Sequence, residues 1–302
     1  MTASRPAARL TVLGSANMDL VVRQPRPPRV GETIFGSGFS TVPGGKGLNQ
    51  AVAAARAGAS VRFAGAVGAD PNGTALLALL NTEGIDTTAV QTSDQPTGIA
   101  LINVLDSGDN SIVVVSGANS TVAALDDAIR AAITAATHLV MQFELPAATL
   151  LQAARFARGA GVRTVLTPAP VTDHDPELIA LTDYLVLNAG EACELSGLSD
   201  VEQAAAALSR RAGTVIVTLG DRGSLLAADG AITARMPARA VRAVDTTAAG
   251  DTFVGVLTAR IAAGQTITEA MRWATAAAAV SVTRPGATSS MPNLAEISAA
   301  LS

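Results

Sequence analysis

Six short runs rich in Val, Leu and Ile set the terms on which this chain can fold. They are "LTVLG" (10–14), "VRFAGAVG" (61–68), "HLVMQ" (138–142), "RTVLT" (163–167), "YLVLN" (184–188) and "TVIVTLG" (214–220). Each is apolar along its length rather than at every second position. Ala/Leu-rich segments of helical spacing separate them, at about 47–58, 72–83, 122–135, 146–160 and 200–211, and two more follow at 249–263 and 267–283. A strand apolar on both sides is covered on both sides, and a helix between two strands brings the chain back to begin the next in the same direction. The pattern predicts an α/β fold: a doubly wound, mostly parallel sheet with helices on both faces, in one unit over 9–300, with 1–8 flexible. Hydrophobic residues make up 49% of the chain but aromatics only 3%, so Ala, Val, Leu and Ile must build the core.

Two stretches break the rhythm. Residues 19–43 ("DLVVRQPRPPRVGETIFGSGFSTVP") and 97–117 ("TGIALINVLDSGDNSIVVVSG") have no helical pattern, and the second reads as a hairpin turning at "DSGDN". They are either two surface hairpins or a small antiparallel sheet that closes over a ligand as a lid.

Charge and cysteine usage narrow the class. The net charge is −4 with no basic run, which points away from nucleic acid and anionic membrane as partners. The first residues have no apolar signal core, and no apolar stretch is long enough to span a bilayer. A single cysteine, Cys193, cannot form an internal disulfide, which suits a reducing cytoplasm.

In a doubly wound sheet, ligands bind beyond the carboxyl ends of the strands. Asn17 and Asp19 follow the first run and Glu144 follows "HLVMQ", while Thr167, Asn188 and Thr218 close three others. Any one of these is ordinarily a cap or a turn. Together they predict a polar crevice along one edge of the sheet. In "VDTTAAGDTFVGVLTARIAAG" (244–264) a helix should begin near Ala249, with the free N–H groups of Ala248, Ala249 and Gly250 forming an anion site. Asp251, in the first turn, is either an ordinary N-terminal acid or a base beside that site, as phosphoryl transfer requires. Other chemistries lack their motifs. There is no GxxxxGK[ST], no GxGxxG after the first strand and no GxSxG elbow, and His138 and His174 stand alone. Lys46, in "PGGKGLNQ" (43–50), is the only lysine among many arginines, as if its position had room for an ammonium but not for a guanidinium fork.

These residues carry a resemblance over about 9–300 to the ribokinase/PfkB carbohydrate kinases. "PGGKGLNQAVAAARAG" (43–58) is similar to the family's N-terminal signature, "DTTAAGDTFVGVL" (245–257) to its C-terminal one, and "NAGE" (188–191) to its NxxE motif. "GSANMD", "PAP" (168–170) and "TLGDRG" strengthen the likeness to the family's ribokinase branch. The resemblance implies ATP-dependent phosphorylation of a sugar hydroxymethyl group, ribose at O5. Asp251 would be the base, with the backbone of Ala248, Ala249, Gly250 and Asp251 as the anion hole. Asn17, Met18, Asp19, Gly45, Lys46, Gly47, Asn49, Glu144 and Asp251 would bind the sugar. Asn188, Thr218, Leu219, Gly220, Asp221, Arg222, Gly223, Gly250, Asp251 and Thr275 would bind ATP. Glu191 and Asn188 would organise Mg²⁺ through water. Asp245, Thr247, Ser281, Arg284, Gly286 and Ser290 would supply a K⁺ site, mostly through carbonyls. The lid and a homodimer formed through it are also implied. Leu48, Phe143, Thr167 and Val254 depart from residues common in the family. The first two lie beside sugar contacts and leave 2-deoxyribose, fructose or a nucleoside open as substrate. A non-catalytic sugar-binding regulator on the same fold is the reading from another class, and an intact Asp251 weighs against it.

Overall fold

The computed structural model describes residues 8–107 and 109–301, so the expectation for 1–8 falls, apart from Ala8, outside the described residues, as does Gly108 in the hairpin turn. In chain order the elements are β1 (Arg9–Leu13), β2 (Asn17–Gln24), β3 (Gly38–Gly44), α1 (Lys46–Arg56), β4 (Ser60–Gly68), α2 (Pro71–Thr82), β5 (Asp86–Ser93), β6 (Gly98–Leu105) and β7 (Asn110–Val115). Then come α3 (Asp127–Ala135), β8 (His138–Gln142), α4 (Ala147–Gly159), β9 (Arg163–Thr167), α5 (Pro176–Ala180), β10 (Tyr184–Asn188), α6 (Ala189–Ser196), α7 (Val201–Leu208) and β11 (Thr214–Thr218). The chain ends with β12 (Ser224–Ala228), β13 (Ala231–Met236), α8 (Ala249–Ala262), α9 (Ile267–Ser281) and α10 (Leu294–Leu301).

The large sheet runs β13-β12-β11-β10-β9-β8-β1-β4-β5, parallel from β11 to β5 and antiparallel at β12 and β13. All six apolar runs are strands in it. Two apolar clusters cover its faces: one holds Leu13, Leu139, Leu166 and Val217 under α3, α4 and α7, the other Val12, Val140, Val165 and Ile216 under α1, α8 and α9. Strand order reverses at β1, with β4 on one side and β8 on the other, and the crevice outside such a switch point is where this architecture places a ligand.

The expected helix over 122–135 begins only at Asp127, whose predecessor Asp126 caps it by accepting from Ile129 N–H; a 3₁₀ turn occupies 117–121. The interrupting stretches form a second sheet, β3-β2-β6-β7. Its outer pairs are antiparallel, but the central pair β2–β6 is parallel, because β4, α2 and β5 intervene and return the chain in the same sense. Side chains of Asp19, Val21, Arg23, Ile102 and Ile112 face a crevice of about 1030 Å³ that separates this sheet from segments 243–248 and 285–287.

Candidate active site

Beyond the switch point, β1, β8 and α1 meet. Ser15 Oγ donates to Glu144 Oε2, and the Lys46 N–H reaches the same oxygen at 3.2 Å. Gly47 N–H donates to Ser15 Oγ at 3.4 Å, and Leu48 N–H to Ser15 O at 2.9 Å. The cap residue of α1, Gly45, offers no side chain, so these two residues satisfy first-turn donors that would otherwise be orphaned. Gly45 has φ +91°, a backbone that side chains rarely adopt, and a Cβ at Gly44 would stand 2.1 Å from Asp19 Oδ2. The "PGGKG" stretch therefore delivers Lys46 into the crevice only if those positions stay bare. Leu48 is fully buried in the core and does not shape the crevice. Phe143 is buried too, with its ring 5.1 Å from that of His174.

Asn17 and Asp19 share one face of β2, and Met18 between them packs into the apolar core, so the structure does not bring the Met18 side chain to the crevice. Asn17 is held by Asn119, a residue no motif marks. Asn119 Nδ2 donates to Asn17 Oδ1 at 2.8 Å while its own oxygen takes the Ala16 N–H at 3.0 Å.

Helix α8 starts as expected. Ala248, its cap, sits in the left-handed region at φ 57°, a conformation costing a non-glycine residue about 1–2 kcal/mol. One expected anion-site donor is in use: Ala249 N–H bonds Thr246 O at 3.2 Å. No described residue accepts from the N–H groups of Ala248, Gly250 or Asp251. A Cβ at Gly250 would meet nothing within 4 Å, so the helix end opens on free space. Asp251 Oδ2 accepts from Asn49 Nδ2 at 3.1 Å and Oδ1 from Gln50 Nε2 at 2.9 Å. Asn49 Oδ1 is a buried acceptor without a partner among the described residues, a place for an incoming hydroxyl.

Asp19, Glu144, Glu191 and Asp251 all act on the Lys46 ammonium. Burial alone would depress it, but the carboxylates outweigh burial and hold it above its ordinary value. A lysine in the first turn opposes the helix dipole, so its position is explained by those carboxylates and not by the helix. Burial, with Glu144 and Asp251, pushes the Asp19 carboxyl up to about 7. Burial also raises Asp251, against Lys46, Gln50 and Asn49, and raises Glu144 and Glu191.

On the other side of the α8 N-terminus lies a cavity of about 560 Å³, lined by Thr218, Gly220, Asp221, Gly223, Gly250 and Thr275 together with apolar residues such as Val241 and Phe253. Leu219 packs instead on the core, and Arg222 does not line the cavity. Thr275 Oγ1 is buried without a partner among the described residues. Asn188 ends β10 opposite Thr218 and forms a capping box with Glu191: Glu191 N–H to Asn188 Oδ1 at 2.9 Å, Asn188 N–H to Glu191 Oε2 at 2.8 Å.

Asp245, Thr247 and Gly286 are brought together: Asp245 accepts from Thr247 N–H at 2.9 Å and Gly286 N–H at 2.8 Å. These bonds hold its carboxyl below the ordinary range despite burial, so it stays ionised and fits a hard cation among carbonyl oxygens. The hydroxyls of Ser281 and Ser290 donate to Ala278 O and Ala287 O in their own turns, and Arg284 turns its side chain away to pair with Glu296 at 2.6 Å. The Ser281 carbonyl already accepts the Arg284 N–H at 3.1 Å, which leaves the carbonyls of Arg284 and Ser290 to such a site. Among the described residues no group of three or more His, Cys, Asp or Glu could hold a metal.

A polar crevice and an open helix N-terminus meet at one half-buried carboxylate, and that juxtaposition on a doubly wound sheet fits a class: kinases of small hydroxylated molecules. The profile of the pfkB family carbohydrate kinases matches residues 7–294. The chain is 41% identical to the ribokinase of Haemophilus influenzae, over 95% of this chain and 96% of that one, and 38% identical to that of Bacillus subtilis, over 97% and 99%. Among solved structures, Arabidopsis thaliana ribokinase complexed with ribose and ATP superposes with a TM-score of 0.91 at 32% identity, covering 98% of this chain and 99% of that one. The Thermotoga maritima ribokinase gives 0.90 at 35%, covering 97% and 99%. The chain belongs to the pfkB family of carbohydrate kinases.

Proposed function

We propose that this enzyme transfers the γ-phosphoryl group of ATP to O5 of D-ribose, giving D-ribose 5-phosphate and ADP. The observation that carries the reading is the place of Asp251, oriented by two amides between the Asn17/Asp19/Glu144 crevice and the open α8 N-terminus. The similarity to ribokinases along the whole chain supports ribose over other sugars. Asn17, Asp19, Asn49 and Glu144 bind the sugar hydroxyls, and Lys46 balances the carboxylates around them. Asp251 takes the O5 proton. Backbone N–H groups at 248, 250 and 251 receive charge that develops on the phosphoryl oxygens. The cavity lined by Thr218, Gly220, Asp221, Gly223 and Thr275 takes the nucleotide.

Closure of the β3-β2-β6-β7 sheet as a lid excludes water that would otherwise hydrolyse ATP. Glu191 and Asn188 would organise Mg²⁺, which when bound would neutralise charge on the phosphates. Asp245, Thr247 and carbonyls of 281–290 would hold K⁺ beside the 245–251 loop. The enzyme works as a homodimer through the lid sheet, in the cytoplasm, where the free thiol of Cys193 is stable. ADP release with ribose, 2-deoxyribose, fructose, adenosine or no sugar, each with and without K⁺, tests the reading. Ribose is expected to give the highest kcat/KM and K⁺ to raise turnover. A rate that ignores the sugar would overturn the kinase assignment, and a rate that ignores K⁺ would remove the cation site.

A further inference from the structure

Asp251 is held by a chain of two amides, Gln50 inside the "PGGKGLNQ" stretch and Gln142 outside every motif. Gln50 Nε2 donates to Asp251 Oδ1 at 2.9 Å, and Gln142 Nε2 donates to Gln50 Oε1 at 2.7 Å. Both glutamines are wholly buried. The second bond decides how the first is made. With its oxygen taken by Gln142, the Gln50 amide can present only its NH₂ to the carboxylate. Turned over, it would set oxygen against carboxylate and NH₂ against NH₂. Room for this arrangement comes from β1: a Cβ at Gly14 would stand 2.1 Å from Gln142 Oε1. Gln142 closes β8 two residues before Glu144, so one strand end supplies both a crevice carboxylate and the anchor of this chain.

We propose that Gln50 and Gln142 are positioning residues for the phosphoryl transfer: Gln142 orients Gln50, and Gln50 aims the Asp251 carboxylate at the attacking hydroxyl. The proposal rests on Asp251 being the base. In the transfer, the bond from the sugar oxygen to the γ-phosphorus forms, the bond from that phosphorus to the leaving oxygen of ADP breaks, and the hydroxyl proton passes to Asp251. Neither glutamine gains or loses a proton.

The N–H of Gln50 favours the ionised carboxylate, as do Asn49 and Lys46 on the same helix. Burial opposes them. Asp19 from β2 and Glu144 and Glu191 beyond β8 and β10 face the same group, whose charge raises their carboxyls in turn. Without the Gln50 N–H the base becomes competent only at higher pH.

The test is kcat and ribose KM across pH for Gln50→Met, Gln142→Met and the double variant, with ribose affinity measured by calorimetry as a check that the site has folded. Gln50→Met should lower kcat about 10- to 100-fold with KM changed by less than about threefold, and should move the acid limb upward. Gln142→Met should do the same to a smaller extent. The double variant should be no slower than Gln50→Met, because the two act in series. Gln50→Glu, which keeps the shape but sets a carboxylate against Asp251, should be slower still. A kcat within about twofold of wild type with an unmoved acid limb, or losses that multiply in the double variant, would overturn the proposal. Failure of the base reading looks different: Asp251→Asn would then keep its turnover, whatever the glutamine variants do.

Discussion

Asp19 shows what the crevice does to a carboxyl group. Its folded value of about 7 lies above the ordinary 3.8, owing first to burial and then to Glu144 and Asp251, with Lys46 opposing. Between those values the folded chain holds a proton that the unfolded chain has lost. The stability linked to Asp19 is therefore fully present below about pH 4 and is lost as pH rises through about 7, where the ionised group costs up to about 4 kcal/mol. Asp19→Asn should raise the Tm of the ligand-free protein at pH 8 and leave it nearly unchanged near pH 4, while weakening ribose binding. Thermal unfolding at the two pH values decides; a gain that does not depend on pH would contradict the electrostatic origin. At this scale, legibility followed residue type and proximity to a motif. Asp251, Lys46, Asp19 and Glu144 are legible because charged residues gather past several strand ends and at one helix start, although any one of them alone reads as a cap or a turn. The parts played by Ser15 and Gln50, although both stand inside quoted motifs, and by Asn119 and Gln142 are not, because each acts through a partner far along the chain, as Gln50 does with Gln142 and Asp251. Met18 stands between Asn17 and Asp19 in sequence, but strand alternation turns it to the core.

In the large sheet, strands with both faces covered are legible and the edge strands are not. β5, "DTTAVQTS", lies at the sheet margin, half-exposed and polar, so it has no continuous apolar run. The β12–β13 hairpin did carry a signal in Asp229-Gly230, both at positive φ, which is the dipeptide a two-residue turn asks for. Helix α6 hides in "NAGE", whose Asn and Glu serve as a capping box. β7 is the element whose exposure calls for a partner. It is an edge strand, exposed throughout, and Val113 and Val115 lie on the face away from the crevice, with Leu101 paired to Val113. An exposed apolar edge of this kind is a template for a second chain. Sedimentation velocity should therefore find two chains per particle for the wild type and one for Val113→Lys; a single-chain wild type would rule out the lid-sheet dimer.

Across the whole molecule, chain segments around 17, 46–50, 119, 142–144 and 251 converge at the point where the sheet reverses its strand order. The large sheet supplies fixed anchors in Ser15, Gln142 and Glu144, the second sheet brings Asn17 and Asp19, and α8 brings the anion site and Asp251 together. If Asp251 is the base, as proposed, binding and chemistry are divided between different elements and should separate on mutation. The direct measurement is ribose affinity and ribose-dependent ADP release for Asp251→Asn side by side. Affinity should stay within about threefold of wild type while turnover falls by roughly 10²–10⁴-fold, the contribution of a general base. A variant that still turns over at more than about a tenth of the wild-type rate would show that Asp251 is not the base.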